Sequence, residues 1–431
     1  MKYFFYIIVF LLLSSMLIAQ NRYTSRVFEQ ITIEKDIVYA VEDSWDFTGF
    51  GMNDPESLSF DIYYPANDKQ AKRPLVVCLY GGAFLQGSKE RRDMKAWCDS
   101  LAHYGYVAAA INYRVGFNPL GSGKAIGSDA GIIRAMYRAT QDCRAAVRYL
   151  IHTSDRFGID TTQIFLLGNS AGAITSINTV YMDDSERPPE TYSTGFGANN
   201  ADLRCLDCTG SFSDHRVKIS GVVAFWGATS DLSLLDDYDA VPMLFIHGSL
   251  DPIVPFDKDY ALNFTYGKDL NVYFYGSKAM KEHFDSLGCN AQFYPYEGQG
   301  HCFYSCGSIN ISELDYSIFP SDYWWPLFYQ TIRFLGENNK YCNKKYLPAL
   351  ETNVDFTINE TKERGNFELQ FEGNLLMNNR LTVYNAIGDV VSTQILQTPK
   401  TLITLAGKPA GVYIAEVRNH AHKLRLKMMV K

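Results

Sequence analysis

Ser170 stands in Gly168-Asn169-Ser170-Ala171-Gly172, directly after the apolar run Ile164-Phe165-Leu166-Leu167 and before a segment with helical spacing. A serine hydroxyl is a weak nucleophile until a base takes its proton and an acid orients that base. Gly-x-Ser-x-Gly between a strand and a helix makes a turn so tight that side chains at Gly168 and Gly172 would collide with neighbouring elements. It leaves Ser170 at the carboxyl end of the strand, with the backbone N–H of Ala171 aimed at the space above it. The chemistry open to such a serine is acyl transfer. It needs a histidine, of which the chain has eight, and a carboxylate. Two carboxylates follow apolar runs: Asp231 in Gly227-Ala228-Thr229-Ser230-Asp231, and Asp251 in His247-Gly248-Ser249-Leu250-Asp251-Pro252-Ile253-Val254-Pro255.

These groups need a scaffold, and the hydrophobic pattern supplies one. Alternating runs at 31–39 and 57–64 read as edge strands. Residues 75–80 form a buried strand ending in Gly81-Gly82-Ala83-Phe84, followed by a helical stretch to Tyr104. Then come a strand at 107–112, a helix at 129–151, the strand and helix around Ser170, strands at 219–225, 243–247 and 291–295, and a closing helix at 323–335. Strands alternating with helices imply crossover units and a mainly parallel sheet, which binds ligands at the carboxyl ends of its strands. Residues 182–218 interrupt the pattern with Pro, Gly, Ser, Asn and two cysteines, and an insert there would overhang Ser170. Along the helix at 134–148, several arginines read as a solvated face. Tyr323-Trp324-Trp325 reads as aromatics packed on a sheet in preference to a sugar-stacking platform.

The 431 residues exceed one ordinary domain, and 47% apolar with 20% charged residues is a globular composition. A net charge of −7 with no basic face excludes nucleic acid as a partner. Residues 1–19 carry Lys2, an apolar run at 3–13 and a small residue, Ala19, before polar Gln20: a secretory signal peptide, too short in its apolar part to span a bilayer. Export permits disulfides, and nine cysteines leave at least one unpaired, with Cys78 inside a strand as the buried free thiol. Cys205, Cys208, Cys302 and Cys306 could be drawn as a zinc site, but they lack ligand spacing and a histidine cluster, which favours loop-stapling disulfides.

Residues 75–301 resemble an α/β-hydrolase of the esterase and lipase type, in the branch where a Gly-Gly turn after an early strand supplies the oxyanion hole. The resemblance runs from about residue 57 to residue 335. It implies an α/β fold with a mainly parallel central sheet and the chain order serine, acid, histidine. His103 and His152 precede the serine; His215 lies in the insert, His283 on a helix, His420 and His422 in the tail. His301 alone follows the last strand on a glycine-rich turn, Gly298-Gln299-Gly300-His301. The resemblance puts the acid at Asp251, with Asp231 as competitor and otherwise a loop or cap residue. The N–H groups of Gly82, Ala83 and Ala171 would form the oxyanion hole, each contributing about 3 to 4 kcal/mol to the transition state. Where this branch usually reads His-Gly-Gly, the chain has Tyr80-Gly81-Gly82, which keeps the donors and changes the loop's internal hydrogen bonding. The implied activity is a serine carboxylester hydrolase that requires no metal or organic cofactor. Acetyl or feruloyl sugar esters are its candidate substrates, and a peptidase of the same fold or a silent surface adhesin the alternatives.

After a linker at 347–352 the helical periodicity ends. Short alternating runs at 381–384, 412–415 and 423–428 with turns at 385–389 and 408–411 read as a small all-β sandwich over 353–431, leaving 20–346 to the hydrolase. Val383-Tyr384-Asn385 with Gly388, Ala410-Gly411-Val412-Tyr413 and a basic last strand resemble the C-terminal sorting domain of type IX secretion substrates. That resemblance implies export through the periplasm to the medium or cell surface, with the secretion machinery as partner. A carbohydrate-binding or adhesive β-module is the alternative.

Overall fold

The computed structural model describes residues 22–45, 55–117, 128–193, 198–236, 240–260, 272–304, 323–342, 355–361, 363–372, 379–387, 389–396, 400–418 and 423–430. Residues 1–19, expected as a signal peptide, the expected linker at 347–352, Cys306, Gly388, His420 and His422 lie outside them. The chain divides into two compact units, 1–316 with 334–346, and 317–333 with 347–431.

In the first unit, strands β3 (Arg73–Leu79), β4 (Val107–Ile111), β6 (Gly221–Phe225) and β8 (Met243–Gly248) are buried at every position. Parallel strands covered on both faces have no solvent side, which is why they read as unbroken apolar runs. They join β5 (Ile159–Asn169) and the outer strands β1 (Ile31–Asp43), β2 (Pro55–Pro65) and β11 (Ala291–Tyr296) in an eight-stranded sheet. Its order is β1-β2-β4-β3-β5-β6-β8-β11, parallel from β4 onward and antiparallel at β1 and β2. This is the α/β-hydrolase fold. From β3 the chain moves to one side to make β4 and then to the other to make β5, so the crevice where the order reverses lies at the carboxyl ends of β3 and β5. One of those ends carries Tyr80–Gly81–Gly82 and the other Ser170. Helices α1 (Arg92–His103), α2 (Ser128–His152), α3 (Ser154–Phe157), α4 (Ala171–Tyr181) and α5 (Ser277–Ser286) link the strands. A small antiparallel sheet without a signal in the sequence pattern follows the ends of β6 and β8: β7 (Ala228–Thr229), β10 (Tyr273–Gly276) and β9 (Lys258–Tyr260).

The arginines of α2 do not form a solvated face. Arg134 and Arg148 are buried beneath the insert that follows α4, and Arg138 is buried donating to the Gly116 carbonyl. Arg134 donates to the carbonyls of Glu190, Tyr192 and Ala201, Arg144 and Arg148 pair with Asp207, and Gln141 donates to the Leu203 and Cys205 carbonyls. Among the described residues the insert's regular structure is three single helical turns, so many of its backbone carbonyls need outside donors, and the guanidinium forks of α2 supply them. Among the described residues its outward hydrogen bonds include those to α2, Arg114 and Glu42, and none reaches Ser170 or His301. Cys205 and Cys208 form a disulfide and Cys302 is also disulfide-bonded, so these thiols are spent as staples; Cys78 is free and buried.

In the second unit, helix α6 (Trp324–Glu337) contributes its first turns, where Trp324 is buried and stacks on Phe328. Among the described residues, seven antiparallel strands follow in two sheets. One holds β12 (Asp355–Glu360), β13 (Asn366–Glu372) and β16 (Lys400–Thr404); the other holds β14 (Asn379–Tyr384), β15 (Val390–Leu396), β17 (Gly411–Arg418) and β18 (Lys423–Val430). Alternate residues from both sheets, Phe367 and Leu369 with Leu381, Val383, Tyr413, Ala415, Val417 and Met428, share one core. The period of two is the signature of sheets with one wet and one dry face.

Candidate active site

The turn after β5 is shaped by what cannot be there. A Cβ at Gly168 would collide with the Gly172 carbonyl, and one at Gly172 with the Leu79 carbonyl. Between them Ser170 adopts φ 51° and ψ −117°, a conformation that costs an L-residue about 1 to 3 kcal/mol. Its N–H donates to the Phe225 carbonyl of β6 at 2.9 Å, and its carbonyl accepts the first helical bond of α4 from Ile174 at 3.0 Å. The hydroxyl is thereby held at the carboxyl end of β5.

His301 arrives through two stitched loops. Gly248 ends β8 where a Cβ would strike the Gln299 carbonyl, so the loops after β8 and β11 touch backbone to backbone. Ser249 N–H donates to Tyr296 O at 3.0 Å, Leu250 N–H to Gln299 O at 2.9 Å, and Gly298 N–H to Ser249 Oγ at 2.9 Å. These bonds bring together residues 50 positions apart: His301 Nδ1–H donates to Asp251 Oδ2 at 2.7 Å. On the other side of the ring, Ser170 Oγ lies 3.1 Å from Nε2. Asp251 is fully buried, and its Oδ1 accepts the N–H groups of Ile253 at 2.8 Å and Val254 at 3.0 Å. Burial pushes the carboxyl upward, but the opposing charge of His301 and the hydrogen bonds from His247 and His301 outweigh it and hold the group well below the usual carboxylate range. The Trp226 ring stands edge-on to His301, with centroids 5.8 Å apart. Asp231 is elsewhere: it caps the turn Leu232–Leu234, accepting from Ser233 N–H and Oγ at 2.8 Å each.

The Gly-Gly turn lies directly against the serine. A Cβ on Gly81 would sit 3.1 Å from Ser170 Cβ and 2.9 Å from Asn169 O. Gly82, Ala83 and Phe84 all have positive φ (146°, 54° and 59°), closed by Leu85 and Gln86 N–H donating to Gly82 O. Tyr80, where the resemblance leads one to expect a histidine, ties the turn to Tyr113. Its ring stacks on Tyr113 at 4.2 Å, and each hydroxyl donates to the other residue's carbonyl, at 2.9 Å from Tyr80 and 2.6 Å from Tyr113. The Gly-Gly turn is thus anchored to the strand end after β4.

Two buried groups of residues beside this site escaped the sequence pattern. Asn169 donates to Asp93 of α1 at 2.9 Å and to Tyr304 Oη at 2.8 Å, while Trp97 Nε1 donates to the same hydroxyl at 3.1 Å. One network therefore joins the residue before Ser170, the residue three after His301 and the helix that follows the Gly-Gly turn. Burial, with the Asp93 carboxylate near it, pushes the Tyr304 phenol far up, so it stays protonated. The second group is His247 with Ser277, against the far side of Asp251. Asn169 had a signal in its place inside Gly-x-Ser-x-Gly; the others had none. Among the described residues the carboxylates close enough to hold a cation are Asp36, Asp61 and Glu90, and Lys89 Nζ already occupies their centre at 2.7, 2.6 and 3.0 Å.

The fold and this geometry define an α/β-hydrolase scaffold carrying a serine, a histidine and a buried aspartate in one hydrogen-bonded line. The BD-FAE family matches residues 60–240. Among curated relatives, Lipase 2 of Geotrichum candidum is 31% identical over 128 residues and Carboxylesterase 3B of Mus musculus 31% over 137, each match covering 29% of this chain and 22% of the relative. The chain thus spans about a fifth of the length of these relatives. Similar solved structures include esterase 2 of Thermogutta terrifontis phosphonylated by cyclosarin, 21% identical with a TM-score of 0.39, over 66% of this chain and 88% of that one. A truncated carbohydrate esterase from gut microbiota is 19% identical with a TM-score of 0.42, over 71% and 96%.

Proposed function

We propose that the protein is a serine carboxylester hydrolase working through an acyl-enzyme. The observation that carries this reading is the line from Ser170 Oγ through His301 to buried Asp251, beside a glycine turn in contact with the serine. His301 Nε2 takes the hydroxyl proton as Ser170 attacks the ester carbonyl, and Asp251 stabilises the imidazolium. The N–H groups of Gly82, Ala83 and Ala171 receive the oxyanion. Collapse expels the alcohol with the proton from His301, and water repeats the sequence to free the acid. Similarity to a lipase and a carboxylesterase supports ester over amide as the bond cleaved. The finer reading is an acetyl or feruloyl ester on a sugar. In this account residues 1–19 direct export to the periplasm and 353–431 are the sorting signal that takes the protein to the surface or medium.

The test is hydrolysis of a panel of acetyl, feruloyl, longer acyl and peptide substrates by wild type and Ser170→Ala. The variant should fold and lose about 10⁶ in kcat where chemistry is rate-limiting. Retention of more than about a hundredth of the activity would assign the attack to another group.

A further inference from the structure

Two serine–histidine pairs converge on one carboxylate. Asp251 Oδ2 receives His301 Nδ1–H at 2.7 Å and lies 3.1 Å from His247 Nε2, while His247 Nδ1 lies 2.8 Å from Ser277 Oγ. The second pair is sealed: His247 and Ser277 have no solvent exposure. Ser277 opens α5, held under the loop after Asp251, where Lys278 N–H donates to Phe256 O at 3.0 Å and a Cβ on Gly276 would strike the Pro255 carbonyl. Ser277 can reach no substrate, so this pair needs another role.

The partners dictate the proton positions. Nε2 of His247 faces two acceptors, Asp251 Oδ2 and the Val254 carbonyl, at 3.1 Å each, so it carries the hydrogen. The neutral ring then offers a lone pair at Nδ1, and Ser277 donates to it; the other acceptor of that hydroxyl, Gly227 O, is farther at 3.5 Å. The Phe256 ring stands edge-on to His247 with centroids 5.7 Å apart. The titratable groups facing His247 are Asp251 and, across that carboxylate, His301.

Resting on the assignment of Ser170, His301 and Asp251 as the reacting trio, we propose that His247 is a positioning residue for this reaction and that Ser277 sets its tautomer. By donating to Oδ2, His247 fixes the carboxylate against His301 and draws off part of its charge. Without that donor the full charge faces His301, the imidazolium is stabilised, and the base stays protonated to higher pH. The side chains form one chain of donors, Ser277 to His247 to Asp251 from one direction and His301 to Asp251 from the other.

The experiment is the rate of inactivation by a fluorophosphonate against pH for wild type, His247→Leu, His247→Gln and Ser277→Ala. Alongside it, the ¹⁵N spectrum of His247 is recorded in the wild-type protein. His247→Leu should react about tenfold more slowly at neutral pH, the equivalent of one hydrogen bond to a charged group. Its acid limb should move up by about half a unit. His247→Gln, whose amide can still donate to Asp251, should recover most of both, and Ser277→Ala should fall between. The spectrum should show protonated Nε2 and unprotonated Nδ1. An acid limb that superimposes on wild type, with rates falling only as the folded fraction falls, overturns the proposal, as does a His247 protonated at Nδ1. If His247→Leu does not fold, an unshifted acid limb in Ser277→Ala overturns it equally. A wild type that never reacts at Ser170 fails the trio assignment instead, whereas the tautomer is read without any activity.

Discussion

At the scale of single residues, Asp251 carries the most interactions of the site: it accepts from Ile253, Val254, His247 and His301. Asp251→Asn would present an amide to His301 and favour the wrong tautomer, so kcat should fall about 10⁴-fold while Asp231→Asn stays within about twofold. A larger loss in the Asp231 variant would move the acid to that loop. Stability follows the same carboxylate. Its folded pKa is depressed, so its contribution is complete above the ordinary carboxylate value and is lost as pH falls below about 4. Chemical denaturation should show the gap between wild type and Asp251→Asn narrowing from pH 5 to pH 3; a constant gap would mean the carboxylate is not stabilised in the fold. Ser170, Asp251 and His301 were legible because each sits at a strand end in a short local pattern. His247 was not, although it stands four residues before Asp251. Its partner Ser277 is 30 positions away, and only the packing of α5 brings the two together.

At the scale of elements, the buried parallel strands were readable because burial on both faces leaves an unbroken apolar run, and their observed ends differ from the expected ones by a residue or two. The strands β12, β13, β15 and β16 escaped because edge and half-wet strands such as β16, buried at one position in five, dilute the pattern. The arginines of α2 were misread for a related reason. A helix with arginines on one side looks solvated until an insert with little regular structure of its own lays its backbone carbonyls over it. The Tyr80–Tyr113 pair likewise depends on strands 33 positions apart, yet it holds the Gly-Gly turn. Tyr113→Phe removes the donor to the Tyr80 carbonyl and leaves that buried acceptor unpaired, at a cost of about 1 to 3 kcal/mol. We expect a lower midpoint in thermal denaturation and a fall in kcat with KM little changed. An unaltered kcat would show that the turn holds its donors without the tyrosine pair.

For the whole molecule, the eight strands of the sheet and all three candidate catalytic side chains belong to residues 1–316, and the β-sandwich to 347–431. A sorting role for the sandwich separates export from catalysis. Protein truncated after Leu350 should keep full activity on soluble esters in vitro and remain in the periplasm of its host. Intact export with weaker activity on insoluble substrate alone would make the sandwich a binding module. The central claim, that one strained serine performs the chemistry, is tested most directly by mass spectrometry after fluorophosphonate treatment. The account predicts a single adduct on the peptide bearing Ser170, absent in Ser170→Ala and formed far more slowly in His301→Ala. An adduct on any other residue, or ester hydrolysis by a protein that takes up no phosphonate, would contradict it.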